Sequence, residues 1–206
     1  MPKNTDQKIS RRDFFRRSVK TVTEASDKKS LELAKLWFRP PFAQNEIDFL
    51  DACTKCGRCI ENCPPHALFP LHDKYGLRAA GTPALDLINS ACSLCEDWPC
   101  VGACESRALI IPTPEIETQE GREEEIPLKP MAIAVIDKNR CIAFSGPECG
   151  ACAHACPVKD ALQWNGPKPY INEEACVGCG LCRQACITDP KAISMTQMIH
   201  VEQQKV

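Results

Sequence analysis

The chain has 206 residues and a formal net charge of −2, with 44% apolar but only 6% aromatic residues. Its most unusual feature is a content of 16 cysteines and 17 prolines. No stretch approaches the about 18 consecutive apolar residues of a membrane span, so the sequence predicts a soluble or peripheral protein. So few large side chains leave little material for an ordinary hydrophobic core in a chain of this length.

The first twenty residues form a basic segment with seven lysines and arginines against two aspartates, a net charge of +5. Residues 10–15, which read S-R-R-D-F-F, resemble the twin-arginine signal that addresses folded proteins to the bacterial periplasm. Such a signal also needs an apolar stretch of about 7 to 15 residues, whereas residues 16–29 are charged. We therefore predict a cytoplasmic protein, with periplasmic export as the alternative. The arm is either a solvated basic segment or a peripheral contact with an anionic membrane surface.

The sequence divides into three parts. Residues 1–44 are predicted as the basic arm, 45–194 as a cysteine-rich domain and 195–206 as a tail. Within the arm, a helix is predicted shortly before Pro40 and Pro41, and this proline pair is predicted to be the linker into the domain. Within the domain, residues 115–125 predict an acidic, solvated loop, with a docking site for a basic partner as the alternative. Residues 131–136 predict a strand.

The sixteen cysteines fall into four groups of four, and none is left over. The groups are Cys53, Cys56, Cys59 and Cys63; Cys92, Cys95, Cys100 and Cys104; Cys141, Cys149, Cys152 and Cys156; and Cys176, Cys179, Cys182 and Cys186. The first and fourth groups read C-x2-C-x2-C-x3-C. Bacterial ferredoxins use this spacing to hold 4Fe-4S clusters, with three cysteines on one cluster and the fourth on its neighbour. The sequence therefore predicts that all sixteen cysteines are iron ligands of four 4Fe-4S clusters.

The spacing follows from the shape of the cluster. Three thiolates must reach three iron atoms of one small cubane, so the chain has to curl tightly, and Gly57, Gly178 and Gly180 supply a permissive backbone for this. The residues after the third cysteine then carry the fourth sulfur away to a second cluster. The first and third groups are followed by proline, as in the bacterial pattern, whereas the other two are not.

Two other chemistries compete with this interpretation. A disulfide framework needs an oxidising compartment and usually a short secreted chain, and it gives no reason for the repeated spacing. Structural zinc also binds C-x2-C pairs, but these pairs are usually separated by about a dozen or more residues. The zinc alternative is strongest for the third group, whose first gap is stretched to seven residues. Cys141 is therefore the predicted ligand with the weakest support from spacing.

Four clusters would replace much of the hydrophobic core, so the protein without metal should be poorly folded. Each cluster with its four thiolates adds about −2 to the formal charge of −2, and the resulting charge of about −10 argues against nucleic acid as a partner. Short strands before the cluster loops and helical turns after them predict an α+β fold of ferredoxin-like repeats with little regular secondary structure.

Several motifs resemble known families. The second cysteine group resembles that of the four-cluster electron-transfer subunits of molybdenum oxidoreductases. More narrowly, the chain resembles the ferredoxin-type proteins of the NapG and MauM kind, and it shares two further motifs with the related NapF proteins. The motifs lie at residues 10–15, 87–108, 141–156 and 177–180 for NapG and MauM, and at 37–42 and 49–56 for NapF. The resemblance covers residues 37–194.

The resemblance implies an interleaved fold, in which the first group pairs with the fourth and the second with the third. The implied ligand sets are Cys53, Cys56, Cys59 and Cys186; Cys176, Cys179, Cys182 and Cys63; Cys92, Cys95, Cys100 and Cys156; and Cys141, Cys149, Cys152 and Cys104. Sequential pairing, first with second and third with fourth, is the alternative that spacing leaves open.

The resemblance also implies an electron relay rather than an enzyme, passing single electrons between a quinol- or ferredoxin-linked donor and a partner oxidoreductase. The expected partners are redox proteins such as a membrane quinol dehydrogenase or a molybdenum reductase of a nitrate reductase-type system. A cytoplasmic assembly factor for a molybdenum or iron-sulfur reductase is the alternative. No glycine-rich nucleotide loop or Ser/His/Asp constellation indicates catalysis. His66, His72, His154 and His200 are scattered, and we predict that they are surface or packing residues.

The charged segment after the twin arginines predicts that residues 1–44 fail to export a reporter. We expect a fusion of this segment to a folded reporter to stay in the cytoplasm, because an export signal needs an apolar region there. The measurement is reporter activity in periplasmic and cytoplasmic fractions. A fusion in which residues 16–29 are replaced by an apolar segment is the positive control. Twin-arginine-dependent transport of the unaltered fusion would reverse the assignment of compartment.

Overall fold

Short helices and strands alternate with loops in the part of the chain that the structure describes. This computed structural model describes residues 37–112, 128–146 and 148–197. The helices are α1 (Glu46–Ala52), α2 (Arg58–Glu61), α3 (Pro99–Gly102), α4 (Ile142–Ser145) and α5 (Leu181–Ala185), with a 3-10 turn at Asp73–Tyr75. The strands are β1 (Leu68–Pro70), β2 (Pro83–Leu85), β3 (Ile133–Ile136), β4 (Leu162–Asn165), β5 (Lys168–Ile171) and β6 (Ile193–Thr196). The predicted class, small helices and short strands with little regular structure, is confirmed.

The strands form three antiparallel pairs, β1 with β2, β3 with β6, and β4 with β5. The predicted strand at residues 131–136 is β3, whose Ile133 lies opposite Thr196 of β6. The β4 and β5 strands form a hairpin with Trp164 opposite Pro169. Within the described ranges, no helix combines the length and the apolar character that crossing a bilayer requires.

Three of the short helices begin at a residue with left-handed backbone geometry. Gly57 (φ 80°) precedes α2, Gly180 (φ 84°) precedes α5, and Trp98 (φ 44°) precedes α3. Glycine adopts this conformation at little steric cost, so the chain can turn sharply after the second cysteine of a group and enter a helix at once. The third cysteine of each of these groups therefore lies in the short helix, where it is buried.

The aromatic part of the core lies in residues 37–112, which we call the first half. Trp37, Phe42 and Phe49 are buried there together with leucines from β2 and the neighbouring loops. Residues 128–197, the second half, have a smaller core in which Ala134, Ile193 and several cysteines are buried. Cysteine thus makes up a large part of what is buried in both halves, as expected of a chain with few large side chains.

The predicted end of the arm at residue 44 is wrong, because residues 37–44 pack within the first half. Trp37 and Phe42 are only 4% and 5% exposed, and the side chains of Pro40 and Pro41 are fully buried. Phe38 forms an isolated β-bridge with Leu85 of β2. The proline pair is therefore part of the core and not a linker. At the other end, β6 continues through Thr196, past the predicted start of the tail.

Arg39 joins this segment to the rest of the first half. Its guanidinium forms two hydrogen bonds of 2.7 and 2.8 Å with the carboxylate of Glu46 and also donates to Thr82 Oγ1 at 2.9 Å. The same group lies 4.5 Å from the ring centroid of Phe49.

Three predicted features lie outside the described residues. They are the twin-arginine motif with its predicted membrane contact, most of the helix before the proline pair, and the acidic loop.

Candidate metal centres

The structure arranges the cysteines in four sets, each with three members of one group and the fourth member of a neighbouring group. Set A is Cys53, Cys56, Cys59 and Cys104; set B is Cys92, Cys95, Cys100 and Cys63; set C is Cys176, Cys179, Cys182 and Cys156; and set D is Cys141, Cys149, Cys152 and Cys186. None of these thiols is in a disulfide.

Set A forms where Cys104 returns to the first cysteine group. The pKa of Cys59 is raised to about 11, first by burial and then by the negative charges of Cys104, Cys53 and Cys56. Burial also raises the pKa of Cys53, and the nearby charges of Cys104 and Cys56 add to this increase. The backbone N–H of Leu109 donates to the Cys104 sulfur at 3.4 Å. The fourth cysteine of the second group therefore belongs with the first three cysteines of the first group.

Set B is the complementary arrangement in the same half. The pKa of Cys100 is raised to about 12, first by burial and then by the charges of Cys92, Cys63 and Cys59. Burial likewise raises the pKa of Cys92, and its neighbouring charges are those of Cys63 and Cys95. Helices α2 and α3, which carry Cys59 and Cys100, pack against each other. This packing brings the two groups together.

Sets C and D each surround a cavity in the second half. One cavity is lined by all four thiols of set D, and another by all four thiols of set C. Burial is the largest cause that raises the pKa of Cys182 to about 12, and the other three thiols of set C add to it. Burial also raises the pKa of Cys152, and the charges that act on it are the other three thiols of set D.

The interleaved pairing is wrong, and consecutive groups pair instead. The reason lies in the residues between the groups. Strands β1 and β2 lie between the first and second groups, and the β4–β5 hairpin lies between the third and fourth. Each of these antiparallel pairs reverses the chain and returns it to the group it has just left. The stretched gap of the third group contains the one-turn helix α4, and Cys141 nevertheless lies with the other thiols of set D.

The donor chemistry of the four sets fits 4Fe-4S clusters. Each set offers four soft sulfur donors, the number by which such a cluster is held. In the described ranges, no three His, Cys, Asp or Glu side chains converge on the position of a single metal ion. The raised thiol pKa values reflect the cost of placing thiolates together in apolar surroundings. Cationic iron bound by these thiolates would offset that cost.

Two further thiols have a pKa below the ordinary value. Hydrogen bonds from the Arg58 backbone and the Thr54 side chain lower the pKa of Cys56, which is exposed. Burial by itself would raise the pKa of Cys186, but hydrogen bonds from Thr188 and from the following backbone outweigh it. Thiolate character is thus favoured by local donors in sets A and D.

Thr188 was not predicted from the sequence. Its hydroxyl accepts a hydrogen bond from the Ala192 N–H at 2.8 Å, which leaves its own proton directed elsewhere, and Cys186 Sγ lies 3.2 Å away. Ser106 Oγ likewise lies near the sulfur of the cysteine two residues before it, at 3.7 Å from Cys104 Sγ. The signal was present in the sequence, because the two fourth cysteines that lack a following proline have a hydroxyl residue two positions later.

The junction between the two halves brings set B close to set C. The N–H of Cys92 donates to the carbonyl oxygen of Cys179 at 2.8 Å. The charge of Cys92 also contributes to raising the pKa of Cys179 to about 11, after burial as the main cause. Within the second half, the set C loop also packs closely on Ala132, because a Cβ at Gly178 would lie 2.1 Å from the carbonyl oxygen of Ala132. Any other residue at position 178 would push the set C loop out of place.

The basic residues beside the cluster loops hold the backbone in place. Arg183 donates to the carbonyl oxygens of Ile193 at 2.5 Å and Ile88 at 3.3 Å, so it links the two halves. Lys191 donates to the carbonyl oxygens of Gln184 and Cys186. Lys55 donates to that of Leu77 at 3.4 Å, and Arg58 pairs with Glu105. The three described histidines, at positions 66, 72 and 154, are exposed.

Comparisons with known proteins identify 4Fe-4S binding domains in this chain and ferredoxin-type relatives. Three family profiles, each described as a 4Fe-4S binding domain, match residues 48–69, 148–161 and 167–186. The chain is 31% identical to the ferredoxin-type protein NapG of Escherichia coli over 95% of this chain and 89% of that protein. It is 30% identical to the methylamine utilization ferredoxin-type protein MauM of Methylobacillus flagellatus, over 75% and 66%. Identity to the E. coli ferredoxin-type protein NapF is 27%, over 72% and 79%.

The sequential sets predict which thiols are exposed when a fourth-position cysteine is removed. In anaerobic protein loaded with iron and sulfide, ligated thiolates should resist alkylation. We expect Cys104→Ala to leave Cys53, Cys56 and Cys59 open to iodoacetamide, because their cluster loses a ligand, while the other sets stay protected. Mass spectrometry of the alkylated peptides gives the result.

The matched variant is Cys63→Ala, which should instead expose Cys92, Cys95 and Cys100. Alkylation of Cys141, Cys149 and Cys152 in the Cys104→Ala protein would contradict the sequential sets and support the interleaved pairing. Uniform alkylation of all sixteen thiols in the unsubstituted protein would show that none of them is a stable ligand.

Proposed function

Because the chain belongs to the family of ferredoxin-type iron-sulfur proteins that includes NapG and MauM, we propose that it is an electron relay with four 4Fe-4S clusters, one in each of sets A to D. Each cluster supplies a centre that gains and loses one electron. The protein's residues hold the four centres in a row and tune their potentials. It transforms no substrate of its own.

The observation that carries this proposal is the order of the four sets, A–B–C–D. Sets A and B share the helix α2 region, since Cys59 of set A and Cys63 of set B are four residues apart. Sets C and D are related in the same way through Cys182 and Cys186. Sets B and C meet at the hydrogen bond between Cys92 and Cys179. A row without a gap is the arrangement that a relay needs, and it leaves sets A and D at the ends.

The two end sets differ from the two central ones in their local donors. The fourth cysteines of sets B and C are followed by proline, whereas those of sets A and D have Ser106 or Thr188 nearby. Hydrogen bonds to cluster sulfur raise the reduction potential. We therefore propose that the hydroxyl groups help to set the potentials at the two ends, where electrons enter and leave.

The relay's partners are proposed as a quinol-linked donor, such as a membrane quinol dehydrogenase, and an acceptor such as a molybdenum reductase, at the cytoplasmic side of the membrane. An assembly factor is the second candidate, but burial argues for the relay. Half of the sixteen cysteines are buried, with members in every set. A thiol ligand buried in this way retains its cluster, whereas delivery to a client protein requires access to it.

The metal content tests the proposed function. We expect anaerobically purified protein to contain about sixteen iron atoms and as many acid-labile sulfides, four of each per cluster. It should take up about four electrons from dithionite and return them on reoxidation without loss of iron. Zinc at stoichiometric level without sulfide would contradict the iron-sulfur assignment, and transfer of iron to an apo-reductase during turnover would favour the assembly factor.

The hydroxyl at position 188 gives a second test. Thr188→Val keeps the shape of the side chain but removes the donor, so we expect the potential of the set D cluster to fall. The fall should be on the order of 40 mV, because a net hydrogen bond is worth about 1 kcal/mol and one electron is transferred. Redox titration followed by electron paramagnetic resonance measures it.

Thr196→Val is the matched control, because the Thr196 hydroxyl donates to the Ile133 carbonyl oxygen at 3.3 Å and forms no hydrogen bond with sulfur in the described part of the chain. Equal shifts in the two variants would mean that the Thr188 hydroxyl does not tune the cluster. Unchanged iron content in both variants is required for the comparison.

A further inference from the structure

A groove in the second half runs beside set D. It is lined by consecutive residues of two strands, Ala134, Val135 and Ile136 of β3 and the whole of β5, together with Phe144. Val135 and Tyr170, which line it, are 42% and 44% exposed. Its volume, about 620 Å³, is that of a binding site for a ligand or for a short segment of protein.

The groove follows the edges of the two strands. Successive side chains of a strand point to opposite faces of the sheet. A groove lined by three or four consecutive residues of one strand must therefore run along the edge of that strand and not across one face. Within the described ranges, β3 is paired with β6 alone and β5 with β4 alone, so each strand has one unpaired edge, and the two strands lie near each other without pairing. Free strand edges present backbone groups that bind extended polypeptide segments.

The groove is also basic. Lys138 and Lys168 line it, and the ammonium group of each lies over the ring of Phe144, at 5.8 and 5.6 Å from the centroid. Among the described residues, neither lysine forms an ion pair, and Glu173 is the single acidic side chain of the lining. Such a positive site on a protein of negative net charge favours an acidic occupant.

The groove touches the wall of the set D cavity. Ile136 and Pro169 line both the groove and the cavity that holds Cys141, Cys149 and Cys152. Ile187, another wall residue of that cavity, is 68% exposed. A protein bound in the groove would therefore be separated from set D by one layer of apolar side chains.

We infer that this groove is the docking site for an acidic, extended segment of the redox partner that exchanges electrons with set D. The inference rests on the proposed function, since set D must hold a cluster at one end of the row. One electron crosses per encounter, between the cluster at set D and a one-electron centre of the partner. The two centres change oxidation state by one in opposite senses, and no bond or proton moves.

The test uses anaerobic holo protein and a fluorescent seven-residue peptide with alternating Glu and Val, compared with its Lys and Val counterpart. We expect the acidic peptide to bind and the basic peptide to bind at least tenfold more weakly. In the double variant Lys138→Glu/Lys168→Glu, affinity for the acidic peptide should fall at least tenfold. Fluorescence anisotropy measures binding, and the affinity should decrease with added salt.

The matched control is Lys74→Glu/Lys129→Glu, which changes the charge by the same amount outside the groove. Lys74 also lies over an aromatic ring, that of Tyr75 at 4.9 Å. Binding by this control should stay within twofold of the unsubstituted protein. Equal loss in the two double variants, or equal binding of the two peptides, would overturn the inference.

A redox measurement links docking to set D. An acidic peptide carrying a cobalt(III) chelate should reoxidise the dithionite-reduced protein at least fivefold faster than the basic peptide with the same chelate, as one electron reduces each cobalt(III) to cobalt(II). The groove variant should abolish this difference, and loss of the difference in the control variant as well would overturn the inference. Displacement of the peptide by a water-soluble quinone, or a dimer that the groove variant dissociates, would assign the groove to another occupant and overturn it too.

Iron and sulfide are measured on the same samples, so that failure of the relay can be distinguished from failure of the docking site. Full cluster content without selective peptide binding would remove the docking site and leave the relay. Missing clusters would remove the relay and the redox role of the groove, whatever the peptide does.

Discussion

In each half of the protein, the fourth cysteine of one group lies among the first three cysteines of the other, and the rest of the structure depends on this exchange. Because Cys63 and Cys104 cross between sets A and B, neither loop can reach its final conformation alone. The same holds for Cys156 and Cys186 in the second half. Helices of one turn and strands of three or four residues are sufficient, because the exchange and not regular secondary structure fixes the distance between the loops.

Placing four thiols together in apolar surroundings is unfavourable for their charged form, and the pKa of Cys100 and of Cys182 is raised to about 12 by burial and by neighbouring charge. With the clusters proposed above in place, we expect the fold to depend on bound metal more than an ordinary domain of this length does. The exception is the first half, where Arg39, Trp37 and Phe49 form an aromatic and ionic core of ordinary kind. We expect this part to retain the most structure when iron is absent.

The cysteine spacing alone was sufficient to predict 4Fe-4S binding and a fold of small helices and short strands. It left the pairing open, because pairing depends on how β1–β2 and the β4–β5 hairpin turn the chain, and these strands are too short to give a clear pattern. The interleaved pairing came from resemblance and proved wrong. Pro40 and Pro41 were wrongly interpreted as a linker. Proline ends a helix whether it is buried or exposed, so the sequence did not show that this pair lies in the core. The groove beside set D joins residues distant in sequence and has no local signal.

Exchange between consecutive groups has a consequence for the order in which the protein can be made. All eight thiols of sets A and B lie at or before residue 104, so the first half has its complete ligand supply while the later part of the chain is still being translated. In an interleaved protein, Cys53, Cys56 and Cys59 would have to wait for Cys186, close to the end of synthesis. With the four clusters proposed above, a nascent chain of this kind can receive them in two stages, from the amino terminus onward, and never needs to keep more than eight thiolates unliganded at a time.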